Sequence, residues 1–430
     1  MVMRRRTVLK AAAGAAAVAS PLAFLFQRKA FADAGPLVPD PARILDLPAG
    51  FRYTILQRTF DPMSDGYKVP GRPDGMACFA GPADTLSLMR NHELDKAPFD
   101  AGYDKPPPEA YDPKAMGGVT RLVLHKKTLG RISSNRVLAG TLRNCGGGTS
   151  PWGWLSCEED VEQGHGYVFR CRTDAERVAP AERIPAYGRF RHEAACVDAR
   201  TFIAYLSEDQ VDGCFYRYRP DDPNRPLTSG KLQALRVTGA PRFDTSRDID
   251  HGMKLKVDWI DVPNPDPKDD SVRQQAAAAG AARFRRGEGV FLADGVIYLC
   301  CTVGGRQSLG QVFKLKLGDR DVPDQLELFA ESPGPSVLDM PDNIFLAPWG
   351  DLLVAEDGAG EQFVRGITPD GRAYDLARNA ASGGEFAGIC TSPSGDAIFV
   401  NMQQEGFTVA ITGPLAELSR RAKHFARRPS

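Results

Sequence analysis

The 430 residues are 42% hydrophobic and 25% charged, enough apolar material to bury the core of one large domain or two ordinary ones. The balance of 54 basic against 54 acidic groups hides an asymmetry, because Arg4, Arg5, Arg6, Lys10, Arg28 and Lys29 all fall within residues 1–32, which hold no acid. The remainder carries 48 basic and 54 acidic groups, a net of −6, with no basic patch that would argue for nucleic acid.

In chain order, the first element is an export signal. Arg5-Arg6-Thr7-Val8-Leu9-Lys10 matches a twin-arginine pattern, an alanine-rich apolar run follows from Ala11, and Ala30-Phe31-Ala32 supplies a small-x-small cleavage site. The run is weakly apolar and short for a spanning helix, which argues against an N-terminal membrane anchor. Residues 1–32 are therefore expected to be read by the twin-arginine translocase and removed. Residues 33–430 are expected to form a single domain, a soluble periplasmic or secreted monomer with no stable membrane anchor. Nine cysteines is an odd number for an exported chain, so at least one is free or bound to something other than sulfur.

The 43 glycines and 33 prolines imply many turns and favour β structure. Residues 51–56 read as a strand, 74–79 and 86–89 as a hairpin-like pair, 94–116 as a polar, proline-rich excursion, and 119–124 as a further strand. From there one unit repeats: a short opening strand, a turn, an exit strand ending in polar residues, a loop, and a further strand such as Tyr167-Val168-Phe169 or Gln311-Val312-Phe313. Exit strands end at Met89, Ser156, Ser207, Cys301, Ala355 and Val400, at intervals of 67, 51, 94, 54 and 45 residues. The short intervals suit the roughly 40–50-residue period of a propeller blade. The expected fold is an all-β, six-bladed β-propeller with loop and helix insertions between blades. Two stacked β-sandwiches are the alternative, but they would not keep the strand tips in register. An insertion at about 220–282 holds two strand-like pieces, 231–237 and 255–262, and a helix around 271–282. A basic amphipathic helix is expected over 415–428.

In a propeller the inner strand ends converge on one axial mouth. That would gather Glu93, Cys157, Glu158, Glu193, Glu208, Asp209, Glu288, Asp342, Glu356 and Asp357. Like charges in a poorly solvated cleft raise each other's pKa, so such a set calls for cations with a preference for oxygen ligands. A thiolate among them favours a transition metal at that position. A calcium-stapled propeller without chemistry is the plainer reading of the same residues.

Cys157-Glu158-Glu159 after a Thr-x-Pro-Trp-Gly segment, Gly188-Arg189-Phe190-x-His192-Glu193, Phe284-x-Arg286-x-Glu288, Pro341-Asp342-Asn343 and Glu385-Phe386-Ala387-Gly388 together resemble the PhoX alkaline phosphatase family. The resemblance spans nearly the whole chain after the signal. It implies an exported six-bladed propeller that hydrolyses phosphate monoesters. It also implies a cofactor of two ferric ions, Fe(III), bridged by oxide and a cysteine, with calcium (Ca2+) completing the cluster. On that reading Arg286 is the candidate for gripping phosphate, since guanidinium matches it bidentately, with a local salt bridge as the alternative. Arg306 and Asn144 are further candidates, and His192 either orients Glu193 or is a hydrogen-bonded core residue. Two other functions are weighed: a calcium-dependent lactonase or esterase propeller, and a non-enzymatic binding propeller.

Overall fold

The computed structural model describes residues 34–319, 322–415 and 417–418. The expected signal segment and nearly all of the expected C-terminal helix lie outside the described residues.

Alternating hydrophobic and small residues between glycine-rich turns give strands of five to nine residues for most of the chain. They assemble as antiparallel meanders of four. The innermost strands are Pro73–Ala80, Gly148–Ser150, His192–Val197, Gly287–Ala293, Pro341–Leu346 and Phe386–Thr391. Each touches the next, and the last touches the first, so six four-stranded units close a ring around an axis. The architecture is a β-propeller. Its last sheet is completed by an N-terminal strand, Arg52–Arg58, paired antiparallel with Phe407–Thr412. The segment read as an isolated first strand is thus the ring's closure.

The two long intervals have separate causes. The first contains the loop 93–116 between the second and third strands of unit one. The second contains an extra strand, Lys254–Asp261, which pairs with Gly230–Val237 on one side and Asp324–Glu331 on the other. It fuses units three and four into one nine-stranded sheet. The piece at 231–237 is therefore the outer strand of unit three, and the insertion proper starts after it. Its helix is short, Val272–Ala278.

Side chains alternate across each strand, so the core lies between neighbouring units. Leu86, Leu88, Leu122 and Leu124 pack on Cys390, Phe399 and Ala410 across the closure. Cys300 and Val312 pack on Ile344 and Val354. Each such fully buried aliphatic side chain contributes roughly 1.5–3 kcal/mol. Along the axis the ring leaves a cavity of only about 70 Å3, walled by Met76, Val290, Phe345 and Ile389. Below the mouth the axis narrows to this small space.

Five of the six innermost strands begin with a register shift, at Pro73/Met76, His192/Ala195, Gly287/Val290, Pro341/Asn343 and Ala387/Cys390. A bulge at a strand end re-aims the side chain it carries. In the first, third, fourth and fifth units the residue inside it is an acid.

Candidate metal centre

The bulge residues Asp74, Glu193, Glu288 and Asp342 turn toward the mouth of the axis. Cys145 occupies the corresponding place in unit two, one residue past Asn144, which bridges Glu158 as His192 pairs with Glu208. The chain passes so close here that a Cβ on Gly75 would lie 1.9 Å from the Gly146 carbonyl oxygen. Only glycine fits.

The exit strands deliver the second layer by alternation. In His92-Glu93, Glu158-Glu159, Glu208-Asp209 and Glu356-Asp357, the first residue points back into its own unit and the second points at the axis. His92 holds the Gly71 carbonyl at 2.9 Å and Thr120 Oγ1 at 2.8 Å. Glu158 accepts N–H groups from Leu142 (3.0 Å) and Gly166 (2.9 Å) and lies 2.7 Å from His165 Nδ1. Glu208 accepts from Tyr216 Oη at 2.7 Å and the Cys214 amide at 3.2 Å. Glu356 pairs with Arg365 Nε at 2.8 Å and the Asp339 amide at 2.8 Å. These three carboxylates, expected as ligands, therefore fix turns inside the blades.

Cys157, also expected at the mouth, is fully buried in the apolar cluster of Leu155, Val168, Tyr187 and Ala195. Asn144 is buried as well, between Thr141 Oγ1 (2.6 Å) and Ser156 Oγ (2.8 Å). Arg306 is on the surface, paired with Asp250 and Glu331. None of the three reaches the mouth. One stability consequence can be measured directly. Arg365→Met leaves Glu356 buried without its ion partner and should cost about 3–5 kcal/mol in denaturant unfolding.

Three sets of ligand atoms gather within 4.8 Å of one another: Glu93, Cys145 and Glu159; Asp74, Glu93 and Glu385; and Glu193, Glu288 and Asp342. Asp209 neighbours Glu159, Glu193 and Glu288, and Asp357 is hydrogen-bonded to Glu385. Of the residues expected from sequence, Glu93, Glu193, Asp209, Glu288, Asp342 and Asp357 are brought together. Asp74, Cys145, Glu159 and Glu385 complete the set and were missed.

Nine carboxylates and a thiol thus face three guanidiniums among the described residues. Arg143 Nη2 donates to Glu159 (2.6 Å) and Glu93 (3.0 Å), and Arg72 lies 3.5 Å from Glu93. Arg286 binds both oxygens of Asp209 at 2.8 Å and reaches Glu288 at 3.0 Å. The local salt bridge weighed for Arg286 is therefore present, and its Nη1 has no hydrogen bond among the described residues. The three arginines are equivalent by position. They stand two residues before Asp74, Cys145 and Glu288, at φ of 45°, 45° and 50°. That left-handed conformation is uncommon for a non-glycine residue and marks a constrained site. Arg191, the counterpart in unit three, instead donates to the Glu159 carbonyl (3.2 Å) and lies 3.8 Å from Asp270.

Burial and mutual repulsion push the acids up. Asp74 rises to about 7 by desolvation and by Glu93, Glu159 to about 8 by desolvation and Asp209, and Glu385 to about 10 by desolvation and Asp357. Glu193, Glu288, Asp342 and the Cys145 thiol are driven well upward for the same reasons. Burial would weaken the charge on Arg286, but Glu288 and Asp209 overcome it and fix the cation. A set this short of positive charge fits cations. Oxygen donors suit hard ions, and the one thiol gives the Glu93–Cys145–Glu159 group a softer donor. A pocket of about 330 Å3, lined by Arg72, Glu93 and Arg143 among others, opens onto that group.

The fold and mouth define a β-propeller with an acidic, thiol-bearing axial centre. The chain belongs to the alkaline phosphatase PhoX family, whose model matches residues 32–137 and 131–406. No curated protein matches it. Solved structures similar to the chain include a gluconolactonase from Xanthomonas campestris, at 14% identity and a TM-score of 0.47, covering 89% of this chain and 98% of that one. The Cps50 (Swd1) β-propeller domain of Myceliophteria thermophila is similar at 12% identity and a TM-score of 0.44, covering 84% and 99%.

Proposed function

We propose that the protein hydrolyses phosphate monoesters at a centre of ferric iron and calcium held in the axial mouth. The observation that supports this reading most is the convergence of nine carboxylates and Cys145 in a chain of the alkaline phosphatase PhoX family. Cys145, Glu93 and Glu159 are the residues for iron, because a thiolate prefers a transition metal. The sets Asp74, Glu93, Glu385 and Glu193, Glu288, Asp342 offer oxygen alone and suit calcium. When bound, these ions supply the positive charge and Lewis acidity that phosphoryl transfer requires.

The chain's own groups do the rest. Arg72 and Arg143 stand at the rim and favour the approach of a dianion. Arg286, anchored by Asp209 and Glu288, presents its remaining N–H groups to a phosphate oxygen. Beneath the mouth the axis narrows to a space of about 70 Å3. Gly146 holds Glu193 through its amide at 2.7 Å, so that carboxylate is already oriented. Export by the twin-arginine translocase, release as a soluble periplasmic or secreted monomer, and the absence of any nucleic-acid role complete the reading. Among the described residues no helix is long and apolar enough to cross a membrane.

Metal analysis of the exported protein, together with hydrolysis of phenyl phosphate, tests the proposal. About two irons per chain with calcium, and phosphate release, are expected. Calcium alone with lactone opening would transfer the site to the lactonase class. A folded protein that binds no metal would leave only a binding role.

A further inference from the structure

We propose that the organic part of the ester is held outside the metal centre, in a groove built for a flat ring that carries a second negative charge. The inference rests on the phosphatase reading and names the class of substrate. The groove, about 700 Å3, runs beside the mouth between segment 60–68 and the loop 98–105, and is lined by Phe60, Tyr67, Phe99, Tyr103, Lys68 and Lys105. Phe99 lines both this groove and the pocket that holds Arg72, Glu93 and Arg143. Phe99 is therefore the ring shared by the groove and the space beside Glu93.

Three observations mark the groove as a site. Phe99 is 75% exposed and Phe60 is 47% exposed, on facing segments, although burial of either ring would be favourable. The two tyrosines are held from behind. Arg136, fully buried, lies 4.7 Å from the Tyr103 ring and 5.9 Å from that of Tyr67, and its Nε and Nη1 have no hydrogen-bond partner. Its charge is thus spent on the ring faces, which fixes them as walls. The segments are also tied to each other, since the Lys68 amide donates to the Gly102 carbonyl at 2.9 Å.

The charge selects the ligand further. Lys68 and Lys105 are exposed and make no ion pair within the groove or elsewhere among the described residues, with Asp104 the one acid in the lining. Aromatic walls take a planar ring, and two unpaired ammonium groups take an anionic substituent on it. A small aliphatic alcohol such as glycerol would satisfy neither.

The test compares each ester with itself across variants, which cancels leaving-group reactivity. Steady-state kcat/KM is measured on the exported, metal-bearing protein for 4-carboxyphenyl phosphate, phenyl phosphate and glycerol 2-phosphate. Phe99→Ala should lower the two aryl esters roughly three- to tenfold more than glycerol 2-phosphate, the range expected for one aromatic contact. Lys68→Gln combined with Lys105→Gln should lower the carboxylated ester more than phenyl phosphate. Equal losses on all three esters would overturn the proposal. If no ester is hydrolysed, the phosphatase reading fails, and the groove is judged by ligand NMR with 4-hydroxybenzoate. Line broadening by wild type that disappears in Phe99→Ala supports the groove, and no broadening by wild type refutes it.

Discussion

Cys145→Ser is expected to strip iron from the protein and to lower phosphomonoesterase activity more than about 100-fold, while Cys157→Ser leaves both in place. Loss of a partner merely behind a metal ligand typically costs 10–100-fold, and loss of the ligand itself should exceed that. Without a cation, burial and then Glu193, Glu93 and Glu159 keep the Cys145 thiol protonated. A bound cation favours the thiolate, and a serine hydroxyl resists the same change. Cys157→Ser puts a hydroxyl among Leu155, Val168 and Tyr187 and should cost about 1–3 kcal/mol of stability without touching the metals. Iron analysis, activity and thermal unfolding of both variants decide the matter. Full iron in Cys145→Ser, or loss of iron in Cys157→Ser alone, would assign the thiol ligand the other way.

The second large effect is a reversal of pH dependence on metal removal. A carboxyl whose folded value is raised contributes stability below its unfolded value near 4, and that contribution is lost as pH climbs through the folded value. In metal-free protein this window runs from about 4 through the values near 7 and 8 at Asp74 and Glu159. Moving one aspartate from 3.8 to about 7 makes its ionisation cost on the order of 4 kcal/mol. The metal-free Tm should therefore fall by about 10 °C between pH 5 and 8.5. With cations present the ionised form is the one that binds, and ligands at 1,000-fold over Kd add about 4 kcal/mol. The gap between loaded and stripped protein should widen with pH, as read by calorimetry. Asp342→Asn should raise the Tm of the stripped protein at pH 8 and diminish the gain on loading. A stripped protein whose Tm rises with pH would contradict the charge cluster.

Much of the fold was legible because propeller units repeat, and repetition survives in the sequence as spacing. The exit tips at Ser156, Ser207, Cys301 and Ala355 fall within one residue of where the second strands of four units end, and Met89 and Val400 fall three and two residues short. Half of the site was legible for the same reason. What failed was the phase at the tip. Glu158, Glu208 and Glu356 are adjacent to the axial acids Glu159, Asp209 and Asp357, and alternation sends neighbours to opposite sides. Composition does not say which of two consecutive acids faces inward. His92-Glu93, where only the second residue is acidic, does carry that information. Asp74 opens the strand read at 74–79 but not an exit tip, and Cys145 precedes the opening strand of its unit, so neither stands out by spacing, yet a signal exists. Arg72-x-Asp74, Arg143-x-Cys145, Arg191-x-Glu193 and Arg286-x-Glu288 repeat one pattern, and it picks out the thiol without reference to Cys157. The groove beside the mouth could not be read, since its walls come from two loops that no periodicity links.

The pairing of Arg52–Arg58 with Phe407–Thr412 bears on how the protein is made. A strand at Arg52–Arg58 whose partner is Phe407–Thr412 must wait, unpaired, until that much later segment has left the ribosome. Closure therefore requires every unit that lies between the two strands. A chain broken off early leaves an open arc, with the strand edges of its first and last units exposed and the ligands of the missing units absent from the mouth.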